Sequence, residues 1–469
     1  MVFSSLIFIF FFLPATLLVY YLCPFKISNL ILLISSVLFY FWGEPKYLVI
    51  MIFSTLFNYT AGIIIEKYQT QYNGNKAKIV LIISIVINLG VLVIFKYSNF
   101  LIENINQLFN GYISPLNFAL PIGISFYTFQ TMSYTIDVYK KEIKAQKKFV
   151  TFAAFVTMFP QLIAGPIIQY KDINSQLESR KITVDNFSYG IYRFVQGLSK
   201  KVLLANNIGL IWEQISSSNL SVLSMGEAWL GAIAFSFQIY FDFSGYSDMA
   251  IGLGEMFGFH FRENFNYPYC SCSVTEFWRR WHISLGTWFR EYVYIPLGGN
   301  RKGIYRQLIN IFIVWFLTGF WHGASWNFII WGLYFGILLI FEKLFLFRWF
   351  SFFPRWIKHI YTLFFIIISW VIFAVSDTAQ LAEYLKAMIN FNQITNSSFL
   401  YYMESNYLLL TICAIFSLGI IKFNRTFFKN QLSDGFFSII KIASLVILFV
   451  INVSFLVGET YNPFLYFRF

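Results

Sequence analysis

Residues 318–328 read TGFWHGASWNF, and the interpretation of this stretch decides what kind of fold surrounds it. Apolar sequence flanks it on both sides, from Ile309 to Trp315 and from Phe328 to Ile340. Two apolar arms meeting at a glycine-containing bend read as a membrane hairpin. His322, one of four histidines in the chain, sits at that bend. A group that titrates near neutral pH is out of place there unless it has a partner or a reaction to serve.

Composition settles the medium. Of 469 residues 58% are hydrophobic, 22% aromatic and only 12% charged, whereas a soluble domain carries about a quarter charged residues. Apolar runs of about 17 to 25 residues, each able to cross a bilayer as a helix, recur along the whole length. The expected fold class is therefore an all-α polytopic membrane protein, with residues 1–469 forming one membrane domain. The opening MVFSSLIFIFFFLPATLLVYYL has no basic leader and no small-x-small cleavage site, and reads as a retained first span. Cys23, Cys270, Cys272 and Cys413 form no Cys-x-x-Cys pair, so neither a disulfide framework nor a metal site is expected.

Charge placement orients the chain. The net charge is +12, and the basic residues gather in 66–78, 140–148, 256–306, 342–358 and 422–429. Between them, 98–118 and 213–226 have no Lys or Arg, and 377–404 has only Lys386. The basic set is then cytoplasmic and the other set faces out, which gives about twelve spans with both termini outside. The positive balance reflects this topology and anionic lipid headgroups. Nucleic-acid binding is not expected, because no soluble basic face exists. Two segments depart from simple spans. Residues 150–168 are apolar but broken by Pro160, Gly165 and Pro166, a re-entrant pattern tolerated only where protein or water satisfies the backbone. Residues 187–212 carry Arg193, Lys200 and Lys201, so part of that helix is expected to lie along the interface.

Four polar groups stand out within this apolar body: TGFWHG; FWRRWHISLGTWFREYVYIPLGGNR at 277–301, centred on His282; YFDFSGYSDMAIG at 240–252; and PIGISFYTFQTMSYTIDVY at 121–139, with Gln130 and Asp137. Singly, each has a bland reading. His322 could be a strut between helices, and the aromatics of 277–301 an interfacial belt with ordinary inside charges. Asp242 and Asp248 are six residues apart on a helix, point in different directions and must each find a partner; an ion-coupled secondary transporter could use them. Together, two histidines on neighbouring segments suit a reaction centre, where a neutral imidazole takes a proton from a hydroxyl attacking an acyl carbonyl.

The order of these motifs, from PIGISFYTFQ through the GPI break at 165–167, YFDFSGYSDMAIG, FWRRWHISLGTWFR, YIPLGGNR and TGFWHG to the terminal PFLYFRF, resembles the membrane-bound O-acyltransferase superfamily. Within it, the chain is most similar to the bacterial alginate and peptidoglycan O-acetyltransferase membrane subunits. The resemblance implies about 11–12 transmembrane helices with re-entrant and interfacial segments around a central tunnel. It implies that His322 is the catalytic histidine and that His282 is a second signature position on the cytoplasmic side. It further implies an inner-membrane enzyme that takes acetyl groups from cytoplasmic acetyl-CoA, with no permanently bound cofactor. By topology, Arg279, Arg280, Arg290 and Arg301 are placed to meet the donor's phosphates.

No Gly-x-Ser-x-Gly elbow is present (GYSDM at 245–249 lacks the last glycine), so no serine esterase is built in. The polysaccharide step then falls to an exported serine esterase-like partner. Peptidoglycan is the expected acceptor, with alginate or another exopolysaccharide as the alternative. The tail 457–469 ends in Phe464-x-Tyr466-x-x-Phe469, which resembles the terminal motif of small companion proteins in teichoic-acid D-alanylation. Tyr466 is accordingly a candidate acyl relay, against the plainer reading of an aromatic anchor.

Overall fold

The computed structural model describes residues 2–419 other than 164 and 351, together with 434–458. Among the described residues all regular structure is helical. Among the described residues, seven helices are long and apolar enough to cross a membrane: Phe25–Gly43, Pro45–Thr70, Gly74–Phe109, Ile304–His322, Trp326–Leu346, Arg355–Ala374 and Ser397–Ser417. Two shorter apolar helices, Phe8–Leu22 and Ile442–Gly458, join them. Val49, Val86 and Ile337 stand exposed on these helices, as side chains that face lipid do. The helix Ile124–Tyr139 is short for a span, and Met225–Met256 carries buried Gln238, Asp242, Ser244 and Asp248.

The chain divides into two compact units, one of residues 1–194 with 247–262, the other of 195–246 with 263–469. In the first unit, three helices are joined by buried amides. Asn58 Nδ2 donates to Asn88 Oδ1 at 3.0 Å, and Asn88 Nδ2 returns a bond to Asn58 Oδ1 at 2.8 Å. Ser84 donates to Asn58 Oδ1 and Thr131 to Asn88 Oδ1, drawing in the Ile124–Tyr139 helix. Polar side chains that satisfy one another hold helices together where burial against lipid supplies no drive. The broken segment is present here too. Helix Phe149–Thr157 stops at Met158, a one-turn helix follows at Phe159–Leu162, and 165–169 is not helical. Ser36 Oγ accepts from Phe159 N at 3.0 Å, so a neighbouring helix satisfies the backbone at the break.

The carboxylates that had to find partners do so. In the first unit Asp248 accepts from Arg193 Nε at 3.0 Å and Nη2 at 2.7 Å. In the second, Asp242 pairs with Lys201 at 2.6 Å, both nearly inaccessible. Lys201, expected along an interface, is therefore a buried countercharge. The helix bearing it widens to a π turn at Lys200–Ala205, which accommodates the extra residue there.

Candidate active site

The second unit contains both histidine motifs, and the hairpin comes first. Helix Ile304–His322 and helix Trp326–Phe341 touch backbone to backbone: a Cβ on Gly319 would lie 2.9 Å from Gly332 Cα, and one on Gly332 would lie 2.5 Å from the Trp315 carbonyl oxygen. Only glycine permits that approach. Gly323 then leaves the helix extended, with the Phe328 ring occupying the space a side chain would need. Asn327 at the start of the second arm donates to the carbonyls of Ile372 and Phe373, at 3.3 and 2.9 Å, and so ties the hairpin to helix Arg355–Ala374.

These constraints place His322, 6% exposed, among three aromatic rings. Trp321 and Trp331 lie 5.0 Å from it centroid to centroid and Phe373 5.4 Å, all inclined at about 80°. Edge-to-face packing of this kind fixes the imidazole plane and excludes bulk water.

The second motif is held differently. Helix Val274–Arg280 is capped by Ser273, whose hydroxyl accepts from Glu276 N. A second cap comes from 68 residues away: buried Glu342 accepts from Val274 N at 2.6 Å, Thr275 N at 2.9 Å and Thr275 Oγ1 at 2.7 Å. The negative carboxylate meets the positive end of the helix. The helix sends Trp278 against Trp315 and Trp331, with centroids at 4.6 and 5.5 Å, and is followed by Trp281 against Trp370 at 4.7 Å. His282 then turns the chain with φ +44°, a left-handed conformation uncommon for a residue other than glycine.

Asn264 helps impose it. His282 Nδ1 lies 3.2 Å from Asn264 Oδ1, the same oxygen that accepts from Ser284 N at 3.1 Å and Ser284 Oγ at 2.9 Å. The ring stacks edge-on against Phe243 at 4.7 Å and approaches Trp321 at 6.1 Å. Both candidate histidines thus border the same indole, one on each motif. Burial pushes the His282 imidazole down to about 3, so it is neutral at physiological pH.

The other two histidines serve plainer ends. His260 is exposed and faces Glu255 at 2.9 Å, and His359 lies 3.2 Å from the Ser271 carbonyl. Arg280 is engaged by Glu276 at 2.8 Å, while Arg279, Arg290 and Arg301 are exposed. Gln130 and Asp137 are fully buried in the first unit. Tyr466 lies outside the described residues.

The sequence profile of the membrane-bound O-acyltransferase (MBOAT) family matches residues 37–379. The chain belongs to this family. It is an acyltransferase, and its apolar helices make it a multi-pass membrane protein. It is 38% identical to a probable alginate O-acetylase of Pseudomonas putida over the full length of both chains. Another probable alginate O-acetylase, from Pseudomonas aeruginosa, is 44% identical over 83% of this chain and 75% of its own. A peptidoglycan O-acetyltransferase of Helicobacter pylori is 34% identical over all of this chain and 98% of its own. O-acetyltransferase chemistry is common to all three names.

Asn264, Trp331, Phe373 and Glu342 escape sequence reasoning in this MBOAT chain. Asn264 stands in ENFNYPY, with no periodicity to link it to a histidine 18 residues on. A carboxylate just past a long apolar run, as Glu342 is, was the one available signal.

Proposed function

We propose that this protein moves acetyl groups from cytoplasmic acetyl-CoA towards a cell-envelope polysaccharide, with His322 as general base. The observation that carries the proposal is that His322 and His282, from separate motifs, border one indole in a buried aromatic site. The acceptor hydroxyl gives its proton to His322 as its oxygen attacks the thioester carbonyl; the C–S bond breaks, and the proton passes to the departing thiolate. His322 ends a helix, where the carbonyl dipoles complement a cation formed on the ring. His282, neutral and too weakly basic to hold a proton, accepts a hydrogen bond and orients. The exposed Arg279, Arg290 and Arg301 are candidate contacts for the donor's phosphates. Tyr466 is the candidate relay that takes the acetyl group and offers it to an exported serine esterase-like partner.

Identity supports an exopolysaccharide of the alginate class as acceptor; the abundance of Phe, Ile, Asn and Lys suggests an A/T-rich genome, which disfavours a typical alginate producer and leaves peptidoglycan as the reading. The deciding experiment measures ester-linked acetate on muramic acid and on secreted polysaccharide, separately, in a strain lacking the gene. Complementation uses the parent, His322→Ala or Tyr466→Phe, with purified parent and His322→Ala assayed for acetyl-CoA hydrolysis. His322→Ala should lower acetylation by about 10²–10⁴-fold; near-normal acetylation by a well-expressed variant refutes the base. Full activity of Tyr466→Phe makes that residue an anchor. The inner-membrane orientation predicts that a cysteine at Ser218 reacts with an impermeant reagent in intact cells and one at Lys302 only after permeabilisation; the reverse pattern inverts the donor side.

A further inference from the structure

The three bonds converging on Asn264 Oδ1 decide where the proton of His282 resides. An amide side chain can be flipped so that nitrogen and oxygen exchange. Here the backbone N–H of Ser284 points at the atom in question from 3.1 Å. That group only donates, so the atom facing it is the oxygen and not the NH₂. A carbonyl oxygen only accepts, so the contact from His282 at 3.2 Å requires a proton on Nδ1. The hydroxyl of Ser284 spends its one proton on the same oxygen at 2.9 Å, so at its longer 3.5 Å contact with Nδ1 it can only accept, which again places the proton on Nδ1. Because burial keeps the ring neutral, a proton on Nδ1 leaves the lone pair on Nε2.

Neutral imidazole in water prefers the opposite tautomer, with the proton on Nε2, so a specific acceptor is needed to reverse it. Asn264 is itself fully buried, and the turn it braces holds His282 in a left-handed backbone conformation. Strain of that kind persists where the surroundings over-determine it, and it clusters at working sites. We infer that Asn264 is a positioning residue that fixes His282 as the Nδ1–H tautomer, so that Nε2 is the nitrogen presented to the acyl-transfer reaction. This inference rests on the acetyl-transfer reading for its consequence, but its structural content stands independently.

With only four histidines, ¹⁵N-histidine labelling of the full chain in nanodiscs reads each tautomer directly, and His282→Gln assigns the resonance. The parent should show Nδ1 protonated and Nε2 bearing the lone pair. Asn264→Ala should convert the ring to the Nε2–H form and slow acetyl transfer by up to about 10⁴-fold, the scale of presenting the wrong imidazole nitrogen. Asn264→Asp keeps an acceptor oxygen, so it should retain the Nδ1 proton, recover rate relative to Asn264→Ala and move the pH–rate profile. Ser284→Ala keeps the backbone N–H and should leave the tautomer as in the parent. An Nε2–H signal in the parent overturns the inference, as does rate loss in Asn264→Ala with the Nδ1 proton retained. Should His282→Gln prove fully active while the tautomer results hold, the acetyl-transfer role of His282 fails and the tautomer assignment survives.

Discussion

His322 and His282 border the same tryptophan and are held by opposite means. His322 is held by shape: three aromatic rings at 5.0 to 5.4 Å, on helices brought together by facing glycines. His282 is held by hydrogen bonds, through Asn264 and a helix whose start is anchored by Glu342. Packing fixes the plane of a ring through contacts with its faces and edges, which suits a group that must meet an incoming hydroxyl in one orientation. Hydrogen bonding commits a nitrogen, which suits a group that must keep one protonation state. On the proposed function, the contrast would separate the general base His322 from His282 as an orienting acceptor.

The contrast can be broken in three ways. Trp331→Ala removes one wall of the His322 cage and should destabilise the protein by about 3–5 kcal/mol, as for buried aromatics generally. The measurement is thermal unfolding in detergent, with ¹⁵N signals of His282 unchanged; a shift of the His282 signals would couple the two corners. Gly332→Ala forces the hairpin arms apart against the Trp315 carbonyl and should lower acetyl transfer on the order of 10²-fold through misplacement of His322. A variant as fast as the parent would show that the cage tolerates the shift. The mildest probe is pH. The folded His282 is depressed to about 3 from an ordinary 6.5, so its neutral form contributes stability above pH 6.5. As pH falls from about 6.5 towards 3 the unfolded chain binds a proton that the folded chain refuses, and that stability is lost. Between pH 7 and pH 4 the unfolding temperature of the parent should therefore fall further than that of His282→Gln. Parallel curves would mean that His282 is not held neutral.

The hairpin, the broken 150–168 segment and both histidines were legible because each places polar or helix-breaking residues inside apolar sequence. The separate directions of Asp242 and Asp248 followed from helical spacing alone. Their partners did not: Lys201 and Arg193 sit in a segment whose charges read equally well as interfacial, and nothing local distinguishes a buried cation from a wet one. Asn264 with His282 and Glu342 with Val274 join residues 18 and 68 positions apart, and a single sequence carries no signal for such contacts. The aromatic cage was hidden by abundance. With 59 phenylalanines and 13 tryptophans, sequence cannot rank Trp331 and Phe373 above the rest.

The Lys201–Asp242 pair has a consequence for how this chain is made. Neither charge is tolerable alone in the interior, and removing one partner of such a pair costs about 3–5 kcal/mol, whereas replacing both by packed apolar residues is often neutral. During synthesis Lys201 emerges first, and it must remain at a wet boundary until the helix carrying Asp242 arrives. The two helices therefore mature as a couple. By the same arithmetic, changing either residue alone should cost more stability than changing both together to packed apolar residues.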